Sequence, residues 1–461
     1  MNDTIAACAS GIGNAGVGVI RVSGPECYTV LEKIFRDGKG RRVSLSQISA
    51  YTAKHGYLVN EKHIVDEVLL ILFRGPHSYT GEDSIEIDCH GGSFVIREIL
   101  KLLLANGVRP ADPGEFSKRA FLNGKMDLSQ AEAVMDIISA GSEAALSNSL
   151  RQLQGKLRSK IDEVRSEILY RTAFIESALD DPEHISLEGY KEQLREDLLP
   201  VIDKLREMVD SAVAGNYIRD GIKTVLAGQP NVGKSTLLNA LIGANRAIVT
   251  NIPGTTRDSL EERINLGPLP LRLIDTAGIR ETGEEIEAIG VNRAKDQIAE
   301  ADLVLFLLDG AGEISEEDRE IFGLLNREKT LCVINKSDLN TKLDSETVAA
   351  EFAFAKDRII AISAKEETGI TELKKAIQEM FAVSEEDFAE REYITNGRHT
   401  LLLKEAKESL CQVVQSIDMG MPEDFFTIDL MAAYETLGKL TGETAGEDLI
   451  NEIFSKFCTG K

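Results

Sequence analysis

The sequence predicts a multidomain protein in which an α/β domain is inserted into a helical domain that follows an α+β domain. Three observations support this fold class. Short β-rich runs alternate with turns over residues 1–120, whereas charged helical patterns fill residues 121–215 and return at 383–461. Between the helical stretches, strand-like segments at 222–227, 271–275, 302–309, 330–335 and 358–363 alternate with helix-like segments over residues 216–382, which is the pattern of a doubly wound parallel sheet.

The chain is acidic and long enough for about two to four domains. Its 461 residues carry 76 Asp plus Glu against 52 Lys plus Arg, a formal net charge of −24. This charge argues against electrostatic binding of nucleic acid over a broad surface of the protein. Any contact with RNA therefore requires a local basic patch or the surface of a partner.

Cysteine spacing and apolar runs indicate a reduced, cytoplasmic protein without membrane association. The six cysteines lie far apart and form no C-x-x-C pattern, which argues against a zinc site and a disulfide framework. Residues 1–25 lack a basic start followed by an apolar core, so we expect no signal peptide. The longest apolar runs, 68–73 and 303–308, are too short to span a bilayer.

The strongest motif lies at residues 222–236. A β-branched run at 222–227 leads into Gly-x-x-x-x-Gly-Lys-Ser at 228–235, and helix-forming residues follow. This is the strand–loop–helix context that a Walker A motif requires. Backbone N–H groups and the helix N-terminus favour phosphate, Lys234 is expected to reach the β- and γ-phosphates, and Ser235 is expected to bind Mg²⁺. The sequence therefore predicts a nucleotide-binding domain.

Four further segments favour GTP over other nucleotides. Asp-Thr-Ala-Gly at 275–278 ends a predicted strand, where the carboxylate can bind Mg²⁺ through water and the glycine N–H can contact the γ-phosphate. Asn-Lys-Ser-Asp at 335–338 offers a carboxylate to the N1 and N2 donors of guanine. Ser-Ala-Lys at 363–365 can meet the base oxygen, and Gly-Thr-Thr-Arg-Asp at 254–258 supplies a switch threonine. The order of these segments along the chain argues against a kinase or an ATPase.

The residue after the Asp-x-x-Gly segment is Ile279, where Ras-like enzymes place a glutamine that orients the attacking water. Hydrolysis therefore needs another group to position water and another positive charge in the transition state. Arg257, Arg280 and the acidic stretch 281–287 are candidates that the sequence alone does not separate. The ordinary interpretation of these glutamates is a solvated face.

Two terminal segments each have an ordinary and a functional interpretation. Residues 11–16 match Gly-x-Gly-x-x-Gly, but a strand-like run follows instead of a helix, so we reject an NAD or FAD site. Residues 454–461 include aromatic residues, Cys458 and Lys461, which are unusual at a chain end that is poorly ordered. Either this tail docks with an inert thiol, or it brings Cys458 as a possible reactive thiol and Lys461 as a cation to a site.

Over essentially its whole length the chain resembles the MnmE (TrmE) family of tRNA-modification GTPases. Besides the GTPase motifs, the resemblance is carried by residues 3–7, 16–24, 78–83, 89–92, 113–117 and 119–125 and by the Cys458-x-Gly460-Lys461 tail. Two positions depart from the family pattern. Asp88 stands where the family more often has His or Gln, and Thr459 replaces an aliphatic residue.

The resemblance implies four segments: a folate-binding and dimerisation domain at 1–120, a helical part at 121–215, a Ras-like P-loop GTPase domain at 216–382, and a second helical part with the tail at 383–461. In the first domain it implies a site for a tetrahydrofolate derivative, 5-formyl- or methylene-tetrahydrofolate. The implied contacts are Arg21, Glu82, Lys125 and Lys461. Cys458 falls on the family's tail cysteine, which is important for modification.

The resemblance also completes the GTPase site. It implies a K⁺ ion held by Asn231, Thr250, Ile252 and Thr255, and Mg²⁺ held by Ser235 and Thr256. Glu287 falls on the catalytic glutamate that orients the attacking water through a second water. The residues that motifs and resemblance together assign to GTP are Asn231, Val232, Gly233, Lys234, Ser235, Thr236, Thr250, Asn251, Ile252, Pro253, Gly254, Thr255, Thr256, Asp275, Thr276, Ala277, Gly278, Asn335, Lys336, Asp338, Ser363, Ala364 and Lys365.

Partners follow from the same resemblance. It implies a homodimer whose GTPase domains meet face to face, and an MnmG-like partner that uses FAD and NADH, in a heterotetramer or a larger assembly. Together they are expected to place an aminomethyl or carboxymethylaminomethyl group on C5 of the wobble uridine of certain tRNAs. The partner's surface would explain how so acidic a chain acts on tRNA.

Two other functions are compatible with single features of this sequence. A ribosome-assembly GTPase acting as an RNA-binding switch shares the phosphate loop, but such proteins carry a basic RNA-binding module, and residues 381–461 show none. A stand-alone folate-dependent methyl-transfer enzyme would leave residues 214–382 without a purpose. The tRNA-modifying GTPase is the favoured hypothesis.

Overall fold

The structure is a computed structural model that describes residues 3–11, 13, 15–61, 63–243, 262–266, 269–274, 296–381 and 392–460. The chain forms two compact units. The first comprises residues 1–135, 152–186 and 422–461, and the second comprises residues 136–151 and 187–421.

Strands and helices are numbered here in chain order. The strands are β1 Ile5–Cys8, β2 Val17–Ser23, β3 Phe35–Asp37, β4 Thr52–Asn60, β5 His63–Phe73, β6 Ser84–His90, β7 Arg109–Pro110, β8 Ile222–Ala227, β9 Glu262–Leu266, β10 Leu269–Leu273, β11 Leu303–Asp309, β12 Thr330–Asn335 and β13 Ile359–Ala361. The helices are α1 Cys27–Ile34, α2 Ser93–Ala105, α3 Glu115–Leu122, α4 Leu128–Ser139, α5 Glu143–Leu153, α6 Lys156–Asp180, α7 Tyr190–Asp220, α8 Lys234–Gly243, α9 Glu316–Gly323, α10 Ser345–Phe352, α11 Ile370–Met380, α12 Gly397–Asp418, α13 Asp424–Thr441 and α14 Glu447–Ser455.

The first unit is built on a sheet in the order β3-β4-β5-β6-β2-β1-β7. Neighbouring strands are antiparallel except β1 and β7, which are parallel. Because successive side chains of a strand point to opposite faces, Ile20 and Val22 of β2 share a buried face with Ile85 and Ile87 of β6. The apolar sides of α1 and α2 pack on that face and complete the core.

Two long helices, α6 and α13, pack against each other in the same unit. Each buries an apolar stripe at helical spacing, such as Ile161, Val164 and Ile168 in α6. The buried Arg165 crosses the pair: it lies over the ring of Tyr434, 4.2 Å from its centroid, and pairs with Glu443 at 2.5 Å. This charged contact fixes how the two helices face each other.

The second unit contains a sheet in the order β13-β12-β11-β8-β10-β9. All neighbours are parallel except the antiparallel pair β9 and β10. Residues 303–308 of β11 are all buried, as expected for a central parallel strand that is covered on both faces. Two separate apolar clusters, one containing Leu305 and the other Phe306, lie on the two sides of the sheet. This is a doubly wound α/β domain.

The chain enters this α/β domain from α7 and returns from it to α12 through a tightly held segment. Asn148 of α5 is buried, and its amide donates to the carbonyl of Tyr393 and accepts from the N–H of Tyr393, both at 3.0 Å. The hydroxyl of Ser211 accepts from the N–H of Ile394 at 3.2 Å. At Gly215 any side chain would collide with the Ile394 carbonyl, so the returning segment lies directly on the backbone of α7.

The predicted fold class is confirmed: an α+β amino-terminal part, helices before and after, and an inserted doubly wound α/β domain. The strands predicted at 222–227 and 330–335 have those bounds, and the strand predicted at 271–275 is β10, two residues earlier. The four-segment division stays a prediction. Within the part of the chain that the structure describes, no helix is both long and apolar enough to cross a membrane.

Candidate functional site

The loop between β8 and α8 has the backbone of a phosphate-binding turn. Gly228, Asn231 and Gly233 have positive φ angles of 143°, 64° and 99°. Alternation of left- and right-handed residues turns successive N–H groups into one concavity, which attracts anions. A side chain at position 233 would also collide with the Asn335 amide, so glycine is required there for space as well as for conformation.

Lys234 spans this loop. Its Nζ donates to the carbonyls of Gly228 at 2.6 Å and Gln229 at 2.8 Å, and burial lowers its pKa below the ordinary lysine value. The ammonium is therefore held at the loop by two of its three donors. Ser235 and Thr236 begin α8 and are exposed. A hydroxyl oxygen at this place fits Mg²⁺, and the exposed side chain of Asn231 offers an oxygen to a hard monovalent cation.

Asn335, at the end of β12, ties three nucleotide-binding segments together. It is 2% exposed. Its Nδ2 donates to the Val232 carbonyl of the phosphate loop at 2.8 Å, and its Oδ1 accepts from the N–H of Ala364 at 3.0 Å. One amide side chain thus sets the distance between the phosphate loop and the segment predicted to meet the base.

The candidate base-binding groups lie beside it. The Ser363 hydroxyl donates to Asp338 Oδ1 at 2.5 Å, and this hydrogen bond holds the pKa of Asp338 below its ordinary value. Lys336 has a left-handed φ of 65°, and its Nζ pairs with Asp309 at 2.6 Å. Lys365 is exposed on the following turn. An ionised carboxylate is the acceptor that the paired N–H donors of guanine require.

Several predicted site residues lie outside the described residues. They are Thr250, Asn251, Ile252, Pro253, Gly254, Thr255, Thr256, Asp275, Thr276, Ala277, Gly278, Glu287 and Lys461. The K⁺ ligands other than Asn231, the second Mg²⁺ ligand and the catalytic glutamate are among them, and their assignments stay predictions.

A second constellation surrounds Arg21 on β2. Its Nε and Nη2 donate to Glu86 at 2.9 and 2.8 Å, and its guanidinium lies 4.7 Å from the Tyr79 ring centroid and 5.6 Å from that of Phe116. Its Nη1 is buried and has no hydrogen-bond partner among the described residues. A buried N–H without an acceptor is costly, so this group fits a ligand that supplies an oxygen or nitrogen acceptor.

The loop at residues 76–82, whose Tyr79 ring lies beside Arg21, also carries Glu82 and is contacted by Lys125. Glu82 accepts from the Ser23 hydroxyl at 2.8 Å and from Arg119 at 3.1 and 3.2 Å. Lys125 donates to the Pro76 carbonyl at 3.0 Å, and its side chain lies against Gly81. The structure therefore brings together three of the four residues that the resemblance assigns to folate.

The tail packs against the same domain. The N–H of Gly114 donates to the Cys458 carbonyl at 3.4 Å, and Gly460 lies so close to the carbonyl of Cys8 that a side chain there would collide with it. Cys8 follows Ala7, the strand partner of Arg21. The tail thus ends beside β1, the strand that pairs with β2, which carries Arg21. Cys458 remains exposed.

Four neighbours of this constellation had no role in the sequence analysis: Ser23, Tyr79, Phe116 and Arg119. All four lie inside segments that carry the family resemblance. The pairing of α3 with the loop at 76–82 is what gives them a role, and no local pattern reveals that pairing.

Three further observations concern the cysteines, the potential metal ligands and the amino-terminal glycines. All six cysteines are free, and burial raises the pKa of Cys27, Cys89 and Cys332 to about 12, which makes these thiols inert. Within the described residues no cluster of three His, Cys, Asp or Glu side chains could hold a metal ion. Residues 17–23 form a strand, so the glycines before them lack the helix that a dinucleotide site needs.

The phosphate loop on a doubly wound sheet and the Asn335–Asp338 segment define the class as P-loop GTP-binding proteins. Comparisons with known proteins extend this. A family model described as "GTP-binding protein TrmE N-terminus" matches residues 4–125, and one described as "MnmE helical domain" matches residues 128–458. The chain belongs to the MnmE family of tRNA modification GTPases.

Individual relatives match this chain over nearly their full length. The tRNA modification GTPase MnmE of Lachnoclostridium phytofermentans is 49% identical over 100% of this chain and 99% of its own. That of Thermoanaerobacter pseudethanolicus is 44% identical with the same coverage. Among solved structures, the G domain of the T. maritima FeoB iron transporter is 27% identical, covers 35% of this chain and 99% of that chain, and has a TM-score of 0.26, too low for a comparison of folds.

Replacing Ser363 with Ala should make guanine-nucleotide binding more sensitive to acid. Asp338 accepts from guanine only when ionised, so affinity falls as pH drops through its pKa, which the Ser363 hydroxyl holds low. Without that hydrogen bond the pKa rises and the loss begins at a higher pH. At about pH 3.9, the ordinary pKa of Asp, we expect the variant to have lost up to about half of its GDP affinity at about pH 7, and the unsubstituted protein to have lost less, measured with a fluorescent GDP analogue.

The control for this experiment is Ser337→Ala, which removes an exposed hydroxyl next to Asp338 in sequence. It should leave the pH profile unchanged. Identical profiles for the Ser363→Ala variant and the unsubstituted protein would show that the Ser363 hydroxyl does not tune Asp338.

Proposed function

We propose that this protein hydrolyses GTP to drive a folate-dependent modification of tRNA in the cytoplasm. With an MnmG-like partner that carries FAD and uses NADH, it would install an aminomethyl or carboxymethylaminomethyl group on C5 of the wobble uridine of certain tRNAs. The observation that carries the proposal is the convergence of Arg21, Glu82, Lys125 and the docked tail in a chain that also contains a guanine-nucleotide loop.

In the nucleotide site we assign Mg²⁺ to Ser235 and Thr256, and K⁺ to Asn231, Thr250, Ile252 and Thr255. When bound, the two ions would supply positive charge against the charge that develops on the phosphates. Lys234 binds the β- and γ-phosphates, and Asp338 selects guanine. Glu287 orients the attacking water, the role that the apolar Ile279 cannot fill.

In the amino-terminal domain we assign Arg21, Glu82, Lys125 and Lys461 to a tetrahydrofolate derivative, 5-formyl- or methylene-tetrahydrofolate. The unpartnered Nη1 of Arg21 supports a ligand with an acceptor at this place. Tyr79 and Phe116 give the site an aromatic wall on which the guanidinium of Arg21 already lies. When bound, the folate would carry the one-carbon unit.

We also propose a homodimer formed by the amino-terminal domain. The sheet face opposite α1 and α2 carries Val19, Leu69 and Ile71, which are half-buried, and Val17, which is 60% exposed. The charged Arg21, Glu86 and Asp88 lie on the same face. The apolar residues therefore form a patch beside them, and such a patch is suited to a second copy of itself. The family match over nearly the whole chain disfavours the ribosome-assembly alternative.

Sodium in place of potassium should slow GTP hydrolysis at least about tenfold. Replacing Asn231 with Gly should abolish this preference, because Gly tolerates the left-handed φ of 64° and removes only the side-chain ligand. The measurement is the steady-state release of phosphate in matched KCl and NaCl buffers. Equal turnover of the unsubstituted protein in the two salts would rule out the K⁺ assignment.

Replacing Glu287 with Ala should lower the turnover of GTP at least about a hundredfold without weakening GTP binding, because only the attacking water loses its orientation. Glu284→Ala, in the same acidic stretch, is the matched control and should retain turnover. Phosphate release and equilibrium binding of a non-hydrolysable GTP analogue measure the two effects. Unchanged turnover of the Glu287 variant would remove it as the catalytic residue.

Deleting residues 458–461 should weaken binding of 5-formyltetrahydrofolate at least about tenfold, because the deletion removes Lys461 and the contact of Gly460 with β1. Isothermal titration calorimetry measures the affinity, and Cys458→Ser serves as the control, since it keeps the tail and changes only the exposed thiol. Lack of binding by the intact dimer would disprove the folate site and leave a GTPase without the proposed chemistry.

A further inference from the structure

A network of charged side chains lies behind the candidate folate site, centred on Arg119 of α3. Arg119 is 1% exposed. Its Nη2 donates to Asp3 Oδ1 at 2.8 Å and to Glu115 Oε1 at 2.9 Å, whereas its Nη1 donates to both oxygens of Glu82 at 3.1 and 3.2 Å. Although burial lowers the pKa of Arg119, the hydrogen bond to Glu115 and the charge of Glu82 raise it above its ordinary value. The guanidinium therefore stays charged.

Glu82 is held by donors from two side chains and is partly exposed. Besides Arg119 it accepts from the Ser23 hydroxyl at 2.8 Å, and Ser23 in turn contacts the Thr80 hydroxyl at 2.7 Å. Its side chain is 18% exposed. A carboxylate has about four lone-pair sites, so these bonds leave part of it available. Glu82 is therefore fixed in orientation while keeping acceptor capacity on its accessible side.

A second arginine belongs to the same network but does not reach Glu82. Arg109 donates to Asp3 at 2.7 Å and to Glu115 at 2.5 Å, and its side chain is 39% exposed. Burial raises the pKa of Glu115, but the hydrogen bonds from Arg109 and the Asp112 N–H outweigh this and lower it overall. Two arginines thus stabilise the same carboxylates, and among the described residues only Arg119 pairs with Glu82.

We propose that Arg119 is a positioning residue that orients Glu82 to accept the 2-amino and N3–H donors of a pterin ring. This inference rests on the proposed folate-dependent function. The two N–H groups of that pterin edge are parallel, and a carboxylate matches them with two hydrogen bonds only when its plane is correctly turned. Nη1 of Arg119, which contacts both oxygens of Glu82, sets that plane.

The test compares two conservative substitutions, Arg119→Lys and Arg109→Lys, by titration calorimetry with 5-formyltetrahydrofolate. Each replaces a fork-shaped guanidinium by a single ammonium. Arg119→Lys should weaken binding at least about tenfold, or about 1.4 kcal/mol. Arg109→Lys should change it less than about threefold, because Glu82 keeps its partners. Melting temperatures from circular dichroism report any loss of folding in either variant.

A 2-desamino-2-methyl analogue of the same folate separates positioning from general destabilisation. The unsubstituted protein should discriminate against this analogue, since it lacks one of the two donors that Glu82 receives. In Arg119→Lys the discrimination should shrink to near unity, which a merely structural role would not produce. If Arg119→Lys does not fold, Ser23→Ala removes the other hydrogen bond to Glu82 and should reduce the discrimination in the same direction.

The outcomes are distinguishable. If the unsubstituted protein binds neither compound, the proposed folate function fails and the inference fails with it. If it binds and discriminates, but folded Arg119→Lys or Ser23→Ala protein discriminates equally well, the folate site stands and the positioning role of Arg119 is wrong. Equal weakening by Arg109→Lys and Arg119→Lys would also contradict it, because only the second arginine reaches Glu82.

Discussion

The two hydrogen bonds between the Asn148 side chain and the Tyr393 backbone are the constraint on which the inserted domain depends. An inserted domain must leave its host near the point where it enters. The buried Asn148 amide satisfies both the N–H and the carbonyl of Tyr393, while Ser211 and Gly215 of α7 receive Ile394. A lost partner in such a buried pair leaves a desolvated polar group, which costs about 1–3 kcal/mol. These hydrogen bonds and the close contact at Gly215 therefore fix the position of the returning segment.

The two candidate sites are built from different kinds of groups: one from backbone, the other from charged side chains. The phosphate loop relies on backbone conformation, with Lys234 already bonded to loop carbonyls and Asn335 holding the loop against Ala364. The amino-terminal site relies on side chains whose charges are balanced below the surface, with Arg119 and Arg109 facing Glu82, Glu115 and Asp3. Strand ends can present backbone groups, whereas the proposed pterin ligand would need fixed side-chain acceptors.

Local patterns were enough to predict the doubly wound domain, because β8 and β12 are strand-like runs that end in recognisable loops. The β9–β10 hairpin was less visible: Pro270 lies within β10, and a proline in a run argues against a strand unless it is at an edge. The partners of Arg119 were beyond local patterns. Glu82 is 37 residues away and Asp3 is 116 residues away, and such separations carry no periodic signal.

The packing of α14 on α3 has a consequence for biosynthesis. Lys118 of α3 donates to Asn451 of α14 across 333 residues of sequence, and Gly114 touches the backbone of Phe454. Ribosomes add about 5–20 residues per second, so these partners are made roughly 20 to 70 seconds apart. The domain that emerges first is completed by a segment that emerges much later. Until then α3 has an uncovered face, and a nascent chain of this protein would be a natural client for chaperones.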